Sequence, residues 1–268
     1  MRAWLGSTHP GPSFAVTAVT VVLAIGVGLP PFSVALLGLA MLLGQFSVGL
    51  SNDWIDAARD RAAGRTDKPV AKGAISVAVV RASAWVTAVL ALALTAFLGW
   101  PALLAHAVFI LSAWHYNAWL KKTPFSVLPY VISFGLLPAL VTLCLPAWAA
   151  WWALGAGALL GVAAHFANVL PDLETDRATG VRGLPHRLGA RVSAFVIAGA
   201  LAAASVLLFV GAPDLLHLFG LALGVGLAVA CVVLVLRGVA TRLLFRVIIA
   251  AAIVDVVLLA LSGAALVT

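Results

Sequence analysis

Seven of the nine acidic residues in this chain fall into two short segments, and their spacing is suited to chemistry. The first opens Asn52-Asp53-Trp54-Ile55-Asp56-Ala57-Ala58-Arg59-Asp60, with Asp67 following. The second reads Asn168-Val169-Leu170-Pro171-Asp172-Leu173-Glu174-Thr175-Asp176. On a continuous helix, Asp53, Asp56 and Asp60 (i, i+3, i+7) share one face, as do Asp172 and Asp176 (i, i+4). Stacked carboxylates repel one another unless divalent cations neutralise them. Mg²⁺ suits them, because it prefers oxygen ligands, keeps several waters and takes one or two carboxylates plus substrate phosphates. Lys68, Lys121 and Arg177, with Lys122 and Arg182 behind them, stand near the acids and could cover phosphate charge. Carboxylates, cations and basic side chains together describe a site for a diphosphate.

The elements that must position these residues are membrane helices. Apolar residues make up 64% of the chain and charged residues 9%, with a mean hydropathy of +1.16. Soluble domains are about 25% charged, so lipid must solvate most of this surface. At about 20 apolar residues per crossing, nine spans are expected, near 13–30, 33–52, 78–99, 101–118, 126–145, 148–170, 190–211, 214–236 and 243–267. The expected fold is therefore all-α and polytopic, one domain over residues 1–268. Pro129 and Pro138 fall in the fifth span, where a kink is expected instead of a break. Cys144 and Cys231 lie in apolar runs without metal-ligand spacing.

Basic residues orient the spans. Counting alternate loops, all sixteen Lys and Arg residues fall on one side: Arg2, the 59–81 segment, Lys121 and Lys122, the 177–191 segment, and Arg237, Arg242 and Arg246. The other side carries Trp100, Trp148, Trp151 and Trp152 and no basic residue. This asymmetry predicts a cytoplasmic N-terminus, an external C-terminus and both acidic motifs at the cytoplasmic face of the cell membrane. The net charge of +7 thus reports membrane topology, and nucleic acid is excluded as a partner because the charge sits in short loops beside the bilayer.

Polar residues inside the spans extend the candidate site. Gln45 lies two turns before Asn52; His165 precedes Asn168 by three residues and Asp172 by seven, so a regular sixth helix would aim all three at the site. His115, Tyr116 and Asn117 end the fourth span close to Lys121. Ionisable groups in a membrane line cavities or pair with one another. His165 is a candidate base for an acceptor proton, weighed against a neutral histidine bonded to another helix. Asp255, midway along the ninth span, must be paired or protonated, with His106 as a candidate partner. Trp54, Trp114, Trp119 and Tyr130 are candidates to shield a cation with their ring faces, or to serve as packing.

These motifs resemble the two signatures of the UbiA superfamily of intramembrane prenyltransferases. Asn52-Asp53-x-x-Asp56-x-x-x-Asp60 is similar to the first, continued by Arg59-Asp60-Arg61, Arg65, Lys68-Pro69-Val70 and Gly73-Ala74-Ile75-Ser76; Asp172-x-x-x-Asp176 is similar to the second. The run from Asp172 to Gly180, with Arg187-Leu188-Gly189, resembles members that prenylate dihydroxynaphthoate, from which Pro171 and Gly183-Leu184-Pro185-His186 depart. The resemblance implies nine helices around a cavity open to lipid. It implies ionisation of a prenyl diphosphate and capture of the allylic carbon by an aromatic (quinone-precursor) or other lipophilic acceptor. Asp53, Asp56, Asp60, Asp172 and Asp176 would be ligands to two Mg²⁺ ions per site, with Asn52 and Asn168 orienting a ligand or a metal water. A cyclase of the same family, acting on the donor alone, is the alternative. A transporter is disfavoured by the absence of inverted halves and by acids at one face instead of mid-membrane.

Overall fold

In a computed structural model of the chain, residues 1–145, 147–178, 180–237 and 241–267 are described. The side chains of Glu174 and Arg242, counted above, lie outside the described residues. The helices are α1 (Arg2–Ser7), α2 (Pro10–Gly26), α3 (Pro31–Ala62), α4 (Val77–Ala96), α5 (Trp100–Ala118), α6 (Leu128–Thr142), α7 (Trp151–Val169), α8 (Leu173–Ala178), α9 (Leu184–Gly211), α10 (Leu215–Leu236) and α11 (Thr241–Leu261). Among the described residues there is no strand, only an isolated bridge between Ala149 and Val267. Among the described residues, five helices, α3, α4, α7 with its short extension, α9 and α10, are long and apolar enough alone to cross a membrane, and α2 and α6 are shorter apolar helices. Large apolar side chains such as Phe32, Phe97 and Phe219 point outward. The chain is a multi-pass membrane protein, as the composition requires.

Prolines mark where helices begin. α2, α3, α5, α6 and α9 each carry one in their first two positions, where the missing N–H has no intrahelical acceptor and the fixed φ favours the turn. Pro129 therefore starts α6 and does not interrupt it, while Pro138 lies inside a continuous helix. Successive long helices pack side by side, and α11 returns to contact α2, closing a ring. Cross-ring contacts join α2 to α6 and α7 to α11. Close approach depends on small residues. A Cβ on Gly157 or Gly161 of α7 would lie 2.4 Å from the carbonyl oxygen of Phe134 or Tyr130 on α6.

Two elements differ from expectation in ways that matter for the site. α3 runs ten residues past the expected end of its span, to Ala62. Its 32 residues make about 48 Å of helix at 1.5 Å per residue, against about 30 Å of hydrocarbon, so the Asp53–Asp60 end overhangs the bilayer core. α7, in contrast, stops at Val169. Pro171 has no N–H to continue the ladder, and the chain passes through a 3₁₀ turn over Leu170–Asp172 before α8. The expectation that Asp172 and Asp176 continue the sixth helix is thereby corrected. α9 begins six residues before the predicted span, but Gly189 (φ 80°, ψ 168°) breaks it, leaving a short leg over 184–188 ahead of the long helix.

Trp152 is buried where Gly211 of α9 leaves room for its indole, while Trp100, Trp148 and Trp151 are exposed.

Candidate active site

The overhanging end of α3 places three aspartates in a shell of positive charge. Asp53, Asp56 and Asp60 are each under 5% exposed, so each needs a counter-charge or a cation. Lys121, on the 3₁₀ turn after α5, reaches both oxygens of Asp56 at 2.6 Å. Burial pushes the Lys121 ammonium below the usual lysine range, against the pull of Asp56. Arg59 donates to Asp56 Oδ2 at 2.9 Å and approaches Asp60 Oδ1 at 3.5 Å. Lys68 lies 3.0 Å from Asp53 Oδ1 and 3.3 Å from Asp60 Oδ2, and donates to Asn52 Oδ1 at 2.9 Å. Asn117 ties α5 to α3 by donating to Val48 O (3.0 Å) and Ser51 Oγ (2.8 Å) while accepting from Asn52 (3.3 Å).

The second motif faces this shell across one cavity of about 530 Å³. Its walls bring together Gln45, Asn52, Asp53, Asp56, Lys68, Tyr116, Asn117, Lys121, Asn168, Asp172 and Asp176, eleven of the sixteen residues singled out from sequence. Deeper in the cavity stand Phe109, Tyr116, Tyr130 and Phe134, with Tyr130 and Phe134 stacked at 6.1 Å and Tyr116 edge-on to Tyr130 at 5.3 Å. One end of the cavity is therefore charged and the other aromatic. On the rim, two hydrogen bonds from Arg65 (2.8 and 2.7 Å) hold the Asp67 carboxyl at about 2.

The other five residues stand elsewhere. Asp60 is buried beside the cavity, engaged with Lys68 and Arg59. Lys122 is exposed outside it. Arg177 and Arg182 line a neighbouring pocket with Arg187, and His186 is common to both. His165 does not line the cavity. It packs behind Tyr116 and Tyr130, with ring centroids 5.7 and 4.9 Å away, and its Nε2 is 3.0 Å from Ser126 Oγ. The same hydroxyl accepts the Leu184 N–H at 2.8 Å, tying the 180s loop to the start of α6.

Of the aromatic candidates, Tyr130 reaches the cavity; Trp54 and Trp114 form an edge-on pair with centroids 5.8 Å apart outside it, and Trp119 is exposed. His106 pairs with Thr95 (2.7 Å), and Asp255 accepts from Ser205 (2.6 Å), so the candidate His106–Asp255 pair is not formed.

Two histidines of the cavity were missed from sequence. His9 donates to Asp53 Oδ1 at 2.9 Å, and His186 Nε2 sits 3.3 Å from Asp176 Oδ2. Neither has a spacing signal: His9 is 44 residues from its partner, and His186 is reached through the turns after α8.

The donor set fits a magnesium-bridged ligand better than a protein-only metal centre. Among the described residues, no three His, Cys, Asp or Glu side chains converge into a closed metal site. Two facing carboxylate walls with phosphate-sized space between them match a cation that is completed by water and substrate oxygens. The buried Asp53 Oδ2 has no hydrogen-bond partner, which leaves one ligand atom available.

Comparisons with known proteins bear on the fold and the family. The fold is similar to that of a UbiA homolog from Archaeoglobus fulgidus bound to GPP and Mg²⁺ (16% identity, TM-score 0.74, covering 97% of this chain and 99% of that one). It is likewise similar to a digeranylgeranylglyceryl phosphate synthase (17%, 0.72, 98% of each chain). A UbiA homolog from Aeropyrum pernix K1 also matches (18%, 0.70, covering 90% and 95%). A search of curated proteins finds no match. The sequence model of the UbiA prenyltransferase family matches residues 13–243. This all-α membrane protein belongs to the UbiA prenyltransferase family.

Proposed function

We propose that the protein transfers an isoprenyl group from a prenyl diphosphate to an aromatic quinone precursor or another lipophilic acceptor, releasing diphosphate. The observation that carries this reading is the single cavity with two carboxylate walls and lysines at its charged end and an aromatic wall at the other. Diphosphate leaves an allylic carbon slowly until its developing charge is neutralised. Lys68 and Lys121, both at the cavity wall, are placed to supply part of that charge. Bound Mg²⁺, held by Asp53 and Asp56 on one wall and Asp172 and Asp176 on the other, would supply Lewis-acid stabilisation of the leaving group. Asp60 then supports Lys68 and Arg59.

Tyr116, Tyr130 and Phe134 offer ring faces to an electron-poor allylic carbon. Gln45, Asn117 and Asn168 give an acceptor polar anchors between the charged and aromatic ends. His165, behind the tyrosines, orders that wall; a proton from the acceptor would reach it only past Tyr116 or Tyr130. The chain is read as one prenyltransferase domain, residues 1–268, in the cell membrane, with the charged rim at the cytoplasmic face as the sixteen basic residues indicate. The A. fulgidus homolog bound to GPP and Mg²⁺ supports the donor class.

Mass spectrometry of products tests the reading. Purified protein is given prenyl diphosphates of several lengths, with and without dihydroxynaphthoate or a glycerol-phosphate lipid. Prenylated acceptor is expected. A cyclic product formed from donor alone, at a rate indifferent to any acceptor, would replace transfer with cyclisation.

A further inference from the structure

We infer that His9 is a positioning residue for the donor site, turning Asp53 so that one carboxylate oxygen stays available to the metal. The inference rests on the magnesium–diphosphate reading above and assigns it a residue from outside both motifs. Asp53 is 1% exposed, and its two oxygens are treated differently. Oδ1 receives both His9 Nε2 at 2.9 Å and Lys68 Nζ at 3.0 Å, while Oδ2 is buried and receives no hydrogen bond; the residue lines the cavity. An ionised carboxylate can only accept, so His9 Nε2 carries the proton in this contact. Two donors on one oxygen fix the rotation of the carboxylate and leave the other oxygen without a partner. Outer partners of this kind orient metal ligands, and their loss commonly weakens metal affinity 10- to 100-fold.

The backbone at His9 indicates that this contact is built at a cost. His9 has φ 51° and ψ 63°, the one positive φ outside glycine among the described residues. It also precedes Pro10, whose ring crowds the residue before it. Strain of this sort persists where the surroundings over-determine it, and it concentrates at functional sites. The surroundings do hold it. Thr8 O presses against α3 where a Cβ on Gly49 would lie 2.4 Å away, and Trp4 packs edge-on to Phe46 at 5.7 Å. His9 occupies the N-cap position of α2, yet its side chain makes no capping hydrogen bond. Its ring is spent on Asp53 instead of on the helix end.

The test separates positioning from a merely structural role. His9→Gly removes the ring and also removes the backbone strain, since glycine adopts positive φ freely. Gln at position 9 carries an amide donor of comparable reach. Mn²⁺ binding to purified protein in the presence of inorganic diphosphate is followed by electron paramagnetic resonance, beside thermal unfolding and turnover. The expectation for His9→Gly is a melting temperature at or above wild type with Mn²⁺ affinity roughly 10- to 100-fold weaker. His9→Gln should recover most of that loss. Wild-type Mn²⁺ affinity in His9→Gly overturns the inference. Asp56→Ala serves as the reference: if it loses Mn²⁺ binding while His9→Gly keeps it, only the role of His9 falls; if neither loses it, the metal-site reading falls as well.

Discussion

Replacing Lys121 by glutamine probes the best-buried ion pair of the site. Lys121 Nζ stands 2.6 Å from both oxygens of Asp56, and the two side chains are 6% and 5% exposed. Stranding one partner of such a pair costs about 3–5 kcal/mol. Arg59 remains 2.9 Å from Asp56 Oδ2, so part of the counter-charge survives and the lower end, about 3 kcal/mol, applies. Lysine is also placed to meet charge that develops on the leaving diphosphate, and loss of one such donor typically lowers turnover about 10²- to 10³-fold. The assay is continuous detection of diphosphate from a prenyl diphosphate, with thermal unfolding in the same detergent. Lys121→Gln should lose turnover by that factor and unfold at lower temperature, whereas Lys122→Gln, exposed and outside the cavity, should stay within about twofold. Equal losses in the two variants, or a Lys121→Gln enzyme within about threefold of wild type, would refute the assignment of Lys121.

Other perturbations address the scaffold. Gly161→Ala puts a Cβ 2.4 Å from Tyr130 O; thermal unfolding should show a loss of about 1–3 kcal/mol from overpacking between α6 and α7. Asp67 titrates near 2 when folded, below the ordinary carboxylate value. Its contribution is therefore fully present above about pH 4 and fades as pH falls toward 2; with the carboxylate 60% exposed, Asp67→Asn should cost no more than about 1 kcal/mol above about pH 4, and progressively less below it. A single cysteine at Ala63 or Arg182, both exposed, should react with an impermeant reagent only from the cytoplasmic side, and one at the exposed Trp148 only from outside; the reverse labelling would invert the topology.

How much of this was legible in the sequence varied with the range of the interaction. Membrane spans were legible because lipid demands long apolar runs, and the expected boundaries fell within a few residues of most helices. The first motif was legible for a similar reason: α3 continues through it, so i, i+3, i+7 spacing does place three aspartates together. The second motif was recognised by composition, but its geometry was not, because α7 ends at Val169, before Pro171, so Asp172 and Asp176 do not continue its face. Asn168 reaches the cavity from α7 and Asp172 from the 3₁₀ turn that follows, whereas His165, on the same helix as Asn168, turns to Ser126. Pairings across the bundle left no local trace. Nothing in the sequence near Asp53 points to His9, and Asp255 accepts a hydrogen bond from Ser205 of α9 instead of pairing with His106.

The central claim is that both aspartate motifs act together, with divalent metal, to release diphosphate from a prenyl donor. Diphosphate release by purified protein in lipid nanodiscs, with geranyl diphosphate and an acceptor, tests it most directly. Asp56→Ala and Asp172→Ala, one from each cavity wall, should each fall by about 10³-fold or more, as expected when several kcal/mol of charge stabilisation is lost. EDTA should abolish release, and added Mg²⁺ should restore it to wild type but not to either variant. Release that persists in EDTA, or in either variant at the wild-type rate, would contradict the account.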